Sequence, residues 1–233
     1  CGIPWRIAFA LQNDGWYLRQ DIIWSKPNPM PESVTDRCTK AHEYLFLLSK
    51  SARYYFDAEA IKEPVTQSTI DRVSQPTLAQ QEGSWRVPGK TNGPMKAVDH
   101  GGTRNKRSVW QVATAPFSEA HFATFPPALV EPCIKAGTSE RGCCAKCGTP
   151  FERVISENPI KTLGWRPTCK CDADVVPPTV LDPFGGAGTT GLVADRLQRN
   201  SILIELNPSY VEMARRRVFD DAPLFQQCIE PNY

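Results

Sequence analysis

Apolar positions in the first sixty residues change their spacing three times. Ile7, Phe9, Ala10 and Leu11 recur at helical intervals after Pro4 and Trp5, and Asn13-Asp14-Gly15 breaks the pattern. This predicts a short amphipathic helix. Residues 17–25 read as a strand around Ile22-Ile23-Trp24, and Lys26-Pro27-Asn28-Pro29-Met30-Pro31 stops regular structure. The runs Tyr44-Leu45-Phe46-Leu47-Leu48-Ser49 and Arg53-Tyr54-Tyr55-Phe56-Asp57 flank Lys50-Ser51-Ala52 and predict a β-hairpin over 44–57. Residues 64–107 are rich in Pro, Gly, Ser, Thr and Gln with little periodicity, the pattern of a loop or of disorder. Pro127 then opens a helix predicted over 128–136.

The last third carries the most informative pattern. The run Thr179-Val180-Leu181-Asp182 ends in an acid and meets the turn Pro183-Phe184-Gly185-Gly186-Ala187-Gly188-Thr189-Thr190-Gly191. A helical pattern follows over 192–199, then a strand over 201–204 that ends at Glu205. A helix over 209–218 is capped by Asn207, with Pro208 at its first position. The two strands are expected to be parallel and joined by a right-handed crossover. A strand, a Gly-rich turn and a helix N-terminus build a nucleotide-type cofactor site, because backbone N–H groups converge on the ligand. An acid at the tip of the second strand is placed to take ribose hydroxyls. Gly186, Gly188 and Gly191 satisfy G-x-G-x-x-G, and Glu205 lies 19 residues after Gly186. A dinucleotide fold and an S-adenosylmethionine (SAM) site both fit that spacing. Only 28 residues follow Glu205, too few for the strands that complete a dinucleotide domain, which favours the SAM site.

Composition narrows the picture further. At 233 residues and 41% hydrophobic, the chain is long enough for one large domain or a domain with a small insert. No apolar run approaches the about 20 residues of a membrane span, and residues 1–15 lack a signal-peptide pattern. The net charge of +2 says little. Its distribution says more: Arg86, Lys90, Lys96, Arg104, Lys106 and Arg107 face only Asp99 between Ser84 and Trp110. A solvated loop and a phosphate-binding surface both fit that run.

Nine cysteines without a secretory signal point to a reducing compartment and to metal. Cys144-Ala145-Lys146-Cys147-Gly148 forms a C-x-x-C-G knuckle, and Cys169-Lys170-Cys171 follows 22 residues after Cys147. Two close thiol pairs across a small loop suit tetrahedral zinc, with Cys143 as a substitute ligand. The loop over 153–168 has few core candidates besides Trp165, so it needs a staple. A redox C-x-x-C would open a helix after a strand, and that context is absent. Cys1, Cys38, Cys133 and Cys228 are scattered and read as ordinary core or surface residues.

The pattern Asp182-Pro183-Phe184-Gly185-Gly186-Ala187-Gly188-Thr189-Thr190, followed by Ile204-Glu205-Leu206-Asn207-Pro208-Ser209-Tyr210, closely resembles the amino-methylating DNA methyltransferases. It is similar to their β-type order, in which the SAM motif follows the catalytic region. Trp24-Ser25-Lys26-Pro27-Asn28 and His42-Glu43 before an apolar strand add a second match. The resemblance covers 1–60 and 108–220. It implies an α/β fold: a Rossmann-like SAM-methyltransferase sheet with helices on both faces, incomplete at its N-terminus, carrying a small four-cysteine zinc-ribbon-like insert.

The domains it implies are a catalytic-domain part over 1–63, a target-recognition region over 64–117 and a cofactor-packing segment and helix over 118–141. A zinc-knuckle insert over 142–174, the SAM-binding unit over 175–220 and a tail over 221–233 complete them. In this resemblance Asp182 caps the floor of the cofactor pocket and Phe184, Gly186 and Gly188 shape it. Thr189 and Thr190 open the helix and bond the methionine carboxylate, Glu205 holds the ribose, and Ala123, Thr124, Phe125 and Pro126 pack on the methionine end. Family members often have Lys where Phe125 stands. Arg104, Asn105, Lys106 and Arg107 are the DNA-contact candidates, since Arg and Lys neutralise phosphates and Arg and Asn read base edges. Trp110 suits either the core or the DNA.

The implied activity is methyl transfer from SAM to the exocyclic amine of a flipped base, with adenine N6 favoured over cytosine N4. A non-catalytic DNA-binding zinc module with a SAM fold is the alternative from another class, and an NAD-dependent oxidoreductase is more distant. The family tetrapeptide Asp/Ser-Pro-Pro-aromatic is missing: Phe125-Pro126-Pro127-Ala128 and Val176-Pro177-Pro178-Thr179 do not fit it. It is expected before Cys1, so no catalytic residue is assigned and the chain alone is expected to be inactive. The implied partners are double-stranded DNA, a second copy in a homodimer and a restriction endonuclease of a restriction–modification pair. The implied setting is the cytoplasm, bacterial or phage-encoded, with no membrane.

Overall fold

A computed structural model describes residues 2–76, 102–115, 117, 124–156 and 161–221. The elements run α1 (Ile3–Asn13), β1 (Tyr17–Ser25), β2 (His42–Ser49), a 3-10 turn (Glu59–Ile61), β3 (Glu63–Pro64), α2 (Gln67–Val73), β4 (Thr103–Arg104) and β5 (Val109–Gln111). After them come α3 (Pro127–Gly137), β6 (Cys143–Cys144), β7 (Glu152–Ile155), β8 (Thr162–Arg166), β9 (Val175–Val176), β10 (Thr179–Asp182), α4 (Thr189–Arg196), β11 (Asn200–Leu203) and α5 (Pro208–Asp221). Among these residues no helix is long and apolar enough to cross a membrane.

Pro4 sits in the first turn of α1, where its missing N–H leaves no bond unmade. Trp5 on this helix packs edge-on against Tyr44 and Phe46 of β2, with ring centroids 5.6 and 5.0 Å away. β1 and β2 are antiparallel, with Ser25 opposite His42 and one slip between Leu18 and Gln20. β5 joins the other edge of β1 in parallel, giving the order β2-β1-β5. The expected hairpin over 44–57 does not form: β2 pairs with β1, and residues 53–57 carry no strand. Asp57 N–H donates instead to Ala136 C=O of α3 at 2.9 Å.

Two apolar clusters organise the interior. Trp24, Trp110 and Leu129 form the first, flanked by Ile22, Leu45 and Val112. Both indole N–H groups are satisfied, Trp24 on Val112 C=O and Trp110 on Arg107 C=O, each at 2.7 Å, so Trp110 is a core residue. Ile134, Val193 and Ala194 form the second cluster, against Val130, Val180 and Leu197. Helix α3 therefore serves both, with Leu129 in one and Ile134 in the other.

β10 and β11 are parallel, with Asp182 opposite Leu203, and α4 connects them. β11 begins one residue before the predicted strand and Glu205 lies two residues beyond it. α4 begins at Thr189 and ends near Gln198, which takes a left-handed φ of 59°. The expected single sheet is not seen among the described residues: β10 and β11 stand as a separate pair. The expected cover on both faces is also not seen there. Val180 packs under α3 and α4, while Leu181 and Ile202, neighbours on the other face, are 60% and 54% exposed. The segment around the cysteines is a ribbon of two short antiparallel pairs, β6 with β9 and β7 with β8.

Candidate functional sites: the glycine turn and the cysteine cluster

The turn between β10 and α4 is braced by its own side chains. Gly188 caps α4 at φ 72°, and a Cβ there would stand 2.8 Å from Cβ of Ala214 on α5, so both backbone and space demand glycine. Asp182 spans the turn: Oδ1 accepts from Phe184 N–H at 3.0 Å and Oδ2 from the Thr190 hydroxyl at 2.6 Å. Glu205 reaches back from the end of β11, with Oε2 accepting from Gly186 N–H at 2.8 Å and Oε1 from Asn207 N–H at 2.9 Å. The Asn207 and Gly186 amides hold its carboxyl below the usual carboxylate range.

Arg217 of α5 donates to Ala187 C=O and to the Thr189 hydroxyl, both at 2.9 Å. The two threonines are buried and their hydroxyls are engaged inside the protein. Phe184 and Leu206 flank the turn at 85% and 96% exposure. Two acids at the ends of β10 and β11, the glycines of the turn and the N-terminus of α4 thus meet at one turn. Such an arrangement suits a ligand with hydroxyls and an anionic group.

The second predicted cofactor segment lies elsewhere. Thr124 and Phe125 line a cavity of about 440 Å3 together with Trp24, Tyr44 and Leu129, and Pro126 is buried behind them. Ala123 lies outside the described residues. No residue of the glycine turn lines this cavity. Lys26 pairs with Glu43 at its edge and stands 4.3 Å over the Trp24 ring. Asn28 clasps Thr114, accepting from its N–H at 3.0 Å and donating to its C=O at 3.4 Å. Sequence reading singled out Trp24 to Asn28 and His42-Glu43 as motifs. The Lys26–Glu43 pair has no local signal in the sequence; it arises from the register that brings β1 and β2 together.

The Sγ atoms of Cys144, Cys147, Cys169 and Cys171 all lie within 4.8 Å of one another. Gly148 at φ 70° closes the knuckle, its N–H donating to Cys144 C=O at 2.8 Å. Cys143 is not in the cluster; its thiol faces Val176 C=O at 3.6 Å. Hydrogen bonding with Thr149, side chain first and then backbone, lowers Cys147 to about 6. Hydrogen bonding to Cys147 pushes Cys171 up to about 12. Cys38 and Cys133 are free thiols away from the cluster, and Cys1 and Cys228 lie outside the described residues.

The basic stretch is partly neutralised. Arg104 and Arg107 both donate to Oε1 of Glu63, at 3.0 and 2.7 Å, and Lys106 stands 5.0 Å over the Trp110 ring. Burial opposes the charge on Glu63, but the bonds from Arg107 and Arg104 outweigh it and hold the carboxyl below its usual range. Asn105 is exposed. Arg86, Lys90, Lys96 and Asp99 lie outside the described residues.

The family model N6_N4_Mtase, described as DNA methylase, matches residues 2–216. Type II methyltransferase M.Cfr9I of Citrobacter freundii is 41% identical over 217 residues, covering 93% of this chain and 49% of the relative. Type II methyltransferase M.SmaI of Serratia marcescens is 39% identical over 217 residues, covering 93% and 51%. The chain thus spans about half the length of the curated relatives it matches. Among solved structures, PvuII DNA methyltransferase (cytosine-N4-specific) superposes with TM-score 0.53 at 18% identity, covering 94% of this chain and 61% of that one. The M1.HpyAVI-SAM complex gives 0.50 at 21%, covering 93% and 69%. These likenesses establish a mixed α/β fold of the methyltransferase kind.

Proposed function

The chain belongs to the N6/N4 DNA methylase family, and from that premise we propose that it forms the cofactor-binding part of an enzyme methylating an exocyclic amine in DNA. The observation that carries this reading is the brace at the glycine turn, where Asp182 and Glu205, at the tips of two parallel strands, each accept a backbone N–H of the turn. S-adenosylmethionine, when bound, supplies an activated methyl group. The chain's own residues bind and orient it. Gly186 admits the ligand close to the backbone, Gly188 shapes the pocket by letting the turn close on α5, Phe184 offers its exposed ring, and Glu205 takes the ribose hydroxyls with its remaining lone pairs. Asp182 and Thr190 keep the floor rigid, and Thr189, locked to Arg217, fixes the start of α4 for the methionine carboxylate. Thr124, Phe125 and Pro126, with Ala123, pack on the methionine end. The amine attacks with its own lone pair, so positioning supplies most of the rate.

The substrate is double-stranded DNA, contacted by Arg104, Asn105, Lys106 and Arg107 within a recognition region over 64–117. The acceptor amine is adenine N6 or cytosine N4. Zn2+ is assigned to Cys144, Cys147, Cys169 and Cys171 as a structural ion. Zinc–sulfur bonds of about 2.3 Å set tetrahedral sulfurs about 3.8 Å apart, which a cluster within 4.8 Å reaches by a small contraction.

Calorimetric titration of the chain with SAM and with NAD tests the cofactor. Saturable SAM binding with no NAD response is expected, and tight NAD binding without SAM binding overturns the reading. Nucleoside analysis of DNA methylated by the whole protein assigns the amine. DNA binding with neither N6-methyladenine nor N4-methylcytosine would make the protein a non-catalytic DNA-binding module instead.

A further inference from the structure

Among the described residues, the loop between the two cysteine pairs ties to the body of the molecule chiefly through the side chain of Arg153. Arg153 on β7 places Nε 3.2 and 3.1 Å from the two carboxylate oxygens of Asp57, and Nη2 2.9 Å from Oδ2. Nη2 also donates to Glu140 at 2.7 Å and Nη1 to the Thr162 hydroxyl at 3.0 Å. The guanidinium lies over Trp165, its cross-strand partner on β8, 4.4 Å from the ring centroid. The Asp57 side chain is only 3% exposed. Its backbone N–H is bonded to Ala136 in the last turn of α3. Just beyond, Ser139 is wholly buried and donates to Phe151 C=O at 2.7 Å. The ribbon, Asp57 and the C-terminal end of α3 therefore meet at one point.

A carboxylate this deep requires a matched partner, and the planar fork of arginine is the side chain that matches it. Burial opposes the charge on Arg153, yet the hydrogen bonds to Asp57 and Glu140 outweigh it. The hairpin that presents Arg153 cannot hold it there unaided, because an isolated two-stranded hairpin is marginal in water. What fixes its root is the cysteine cluster: Cys147 lies six residues before Arg153 and Cys169 four residues after Trp165.

We propose that Arg153 is a metal-dependent latch: Zn2+ on Cys144, Cys147, Cys169 and Cys171 fixes the root of the β7–β8 hairpin, and Arg153 then ties the ribbon to Asp57 at the end of α3. The proposal rests on the zinc assignment and goes beyond it. Helix α3 contributes to both apolar clusters, and its opposite end borders the cavity holding Thr124 and Phe125. Metal occupancy in the ribbon thereby stiffens the seat of a proposed cofactor segment without touching it.

Hydrogen–deuterium exchange on the full chain, with Zn2+ content measured on the same samples, tests the latch. Stripping Zn2+ is expected to speed exchange over 55–60 and 134–140 by about tenfold or more, as local opening is released. Arg153→Met is expected to keep one Zn2+ per chain and show the same acceleration, with Arg153→Lys between it and the wild type. Asp57→Asn removes the buried charge at constant shape and serves if Arg153→Met does not fold; exchange over 134–140 should then no longer respond to Zn2+. Wild-type protection in metal-loaded Arg153→Met, or an undiminished Zn2+ response in Asp57→Asn, overturns the latch and leaves the zinc assignment standing. Wild-type protein that takes up no Zn2+ overturns both.

Discussion

The glycine turn and the cysteine ribbon are both glycine-containing segments next to strand β10, yet they are held in opposite ways. Every strut of the turn is a protein atom: Asp182 on Thr190, Glu205 on Gly186, Arg217 on Thr189. Beneath it the first six residues of α4 are buried without exception. The ribbon spans more residues, but Cys144, 2% exposed, is its one buried hydrophobic residue among those described. Its ties include the four clustered thiols, the Arg153 fork on Asp57 and the Ser139–Phe151 bond. The turn thus packs on the core, while the ribbon carries little core of its own, which is the ground for proposing a metal cross-link there. Local stability follows buried contacts, so the two should fail separately.

Removing the cross-link breaks the comparison most forcefully. Structural zinc contributes on the order of 10–16 kcal/mol in small zinc domains, far more than the ribbon's apolar burial supplies. Chelation, or Cys147→Ser, should melt the ribbon while α4 stays protected. Limited proteolysis reads this as new cleavage within 142–176 and none within 182–206. Simultaneous loss of the turn would erase the distinction between the regions.

The turn has its own weak point at Gly188. Alanine there takes a left-handed backbone at about 1–2 kcal/mol and pushes a methyl into Ala214, with overpacking adding about 1–3 kcal/mol. Gly188→Ala should therefore lower unfolding stability by about 2–5 kcal/mol in urea with the slope unchanged, the overpacking and backbone terms combined. The ribbon's metal content should stay at the wild-type level.

Glu205→Gln sharpens the contrast on the ligand side. Hydrogen bonds to a charged group are stronger than those to a neutral one, so SAM affinity should fall about ten- to a hundredfold while the fold survives. Acid should act in the same sense. The carboxyl of Glu205 sits below its ordinary 4.5 in the folded state, so its brace is complete above that pH and is lost as pH falls through the lowered value. Titration of SAM binding from pH 7 downward checks this; a loss already complete at pH 6 would assign the effect to another group.

The legible and illegible parts of the fold divide along the same line. β1 was readable to its end residues because Asn13-Asp14-Gly15 and Lys26-Pro27 punctuate it, and α3 because Pro127 marks its start. The four cysteines were readable as spacing, since the ligand pattern is local. The pairing of β1 with β5 was not, because the partners lie more than eighty residues apart and meet only in tertiary structure. β7 and β8 escaped notice because strands of four and five residues, mixed polar and apolar and interrupted by Gly164, carry no usable period. The predicted hairpin over 44–57 failed for the converse reason: a good local pattern lost to the non-local pairing of β2 with β1. Arg153 had no local signal at all. Its role depends on a carboxylate 96 positions away.

The smallest effect concerns the stretch proposed to contact DNA, Arg104 to Arg107. Arg104 and Arg107 share one oxygen of Glu63, so part of their charge is spent within the protein. Partly exposed pairs of this kind contribute about 0–1 kcal/mol to stability, and Glu63→Gln should leave unfolding nearly unchanged. It should nevertheless free charge for phosphate. Duplex binding should tighten a few-fold at low salt, and the slope of log affinity against log salt should steepen by up to about one unit, the increment for one more neutralised phosphate. Arg107→Ala should act in the opposite direction and flatten the slope by about one unit, and Arg104→Ala by less, because its side chain is the more covered of the two. The charge on Glu63 persists at neutral pH, its carboxyl lying below the ordinary 4.5, so only the substitution exposes the effect under conditions where DNA binding is measured. A slope indifferent to all three substitutions would remove this stretch from the DNA interface.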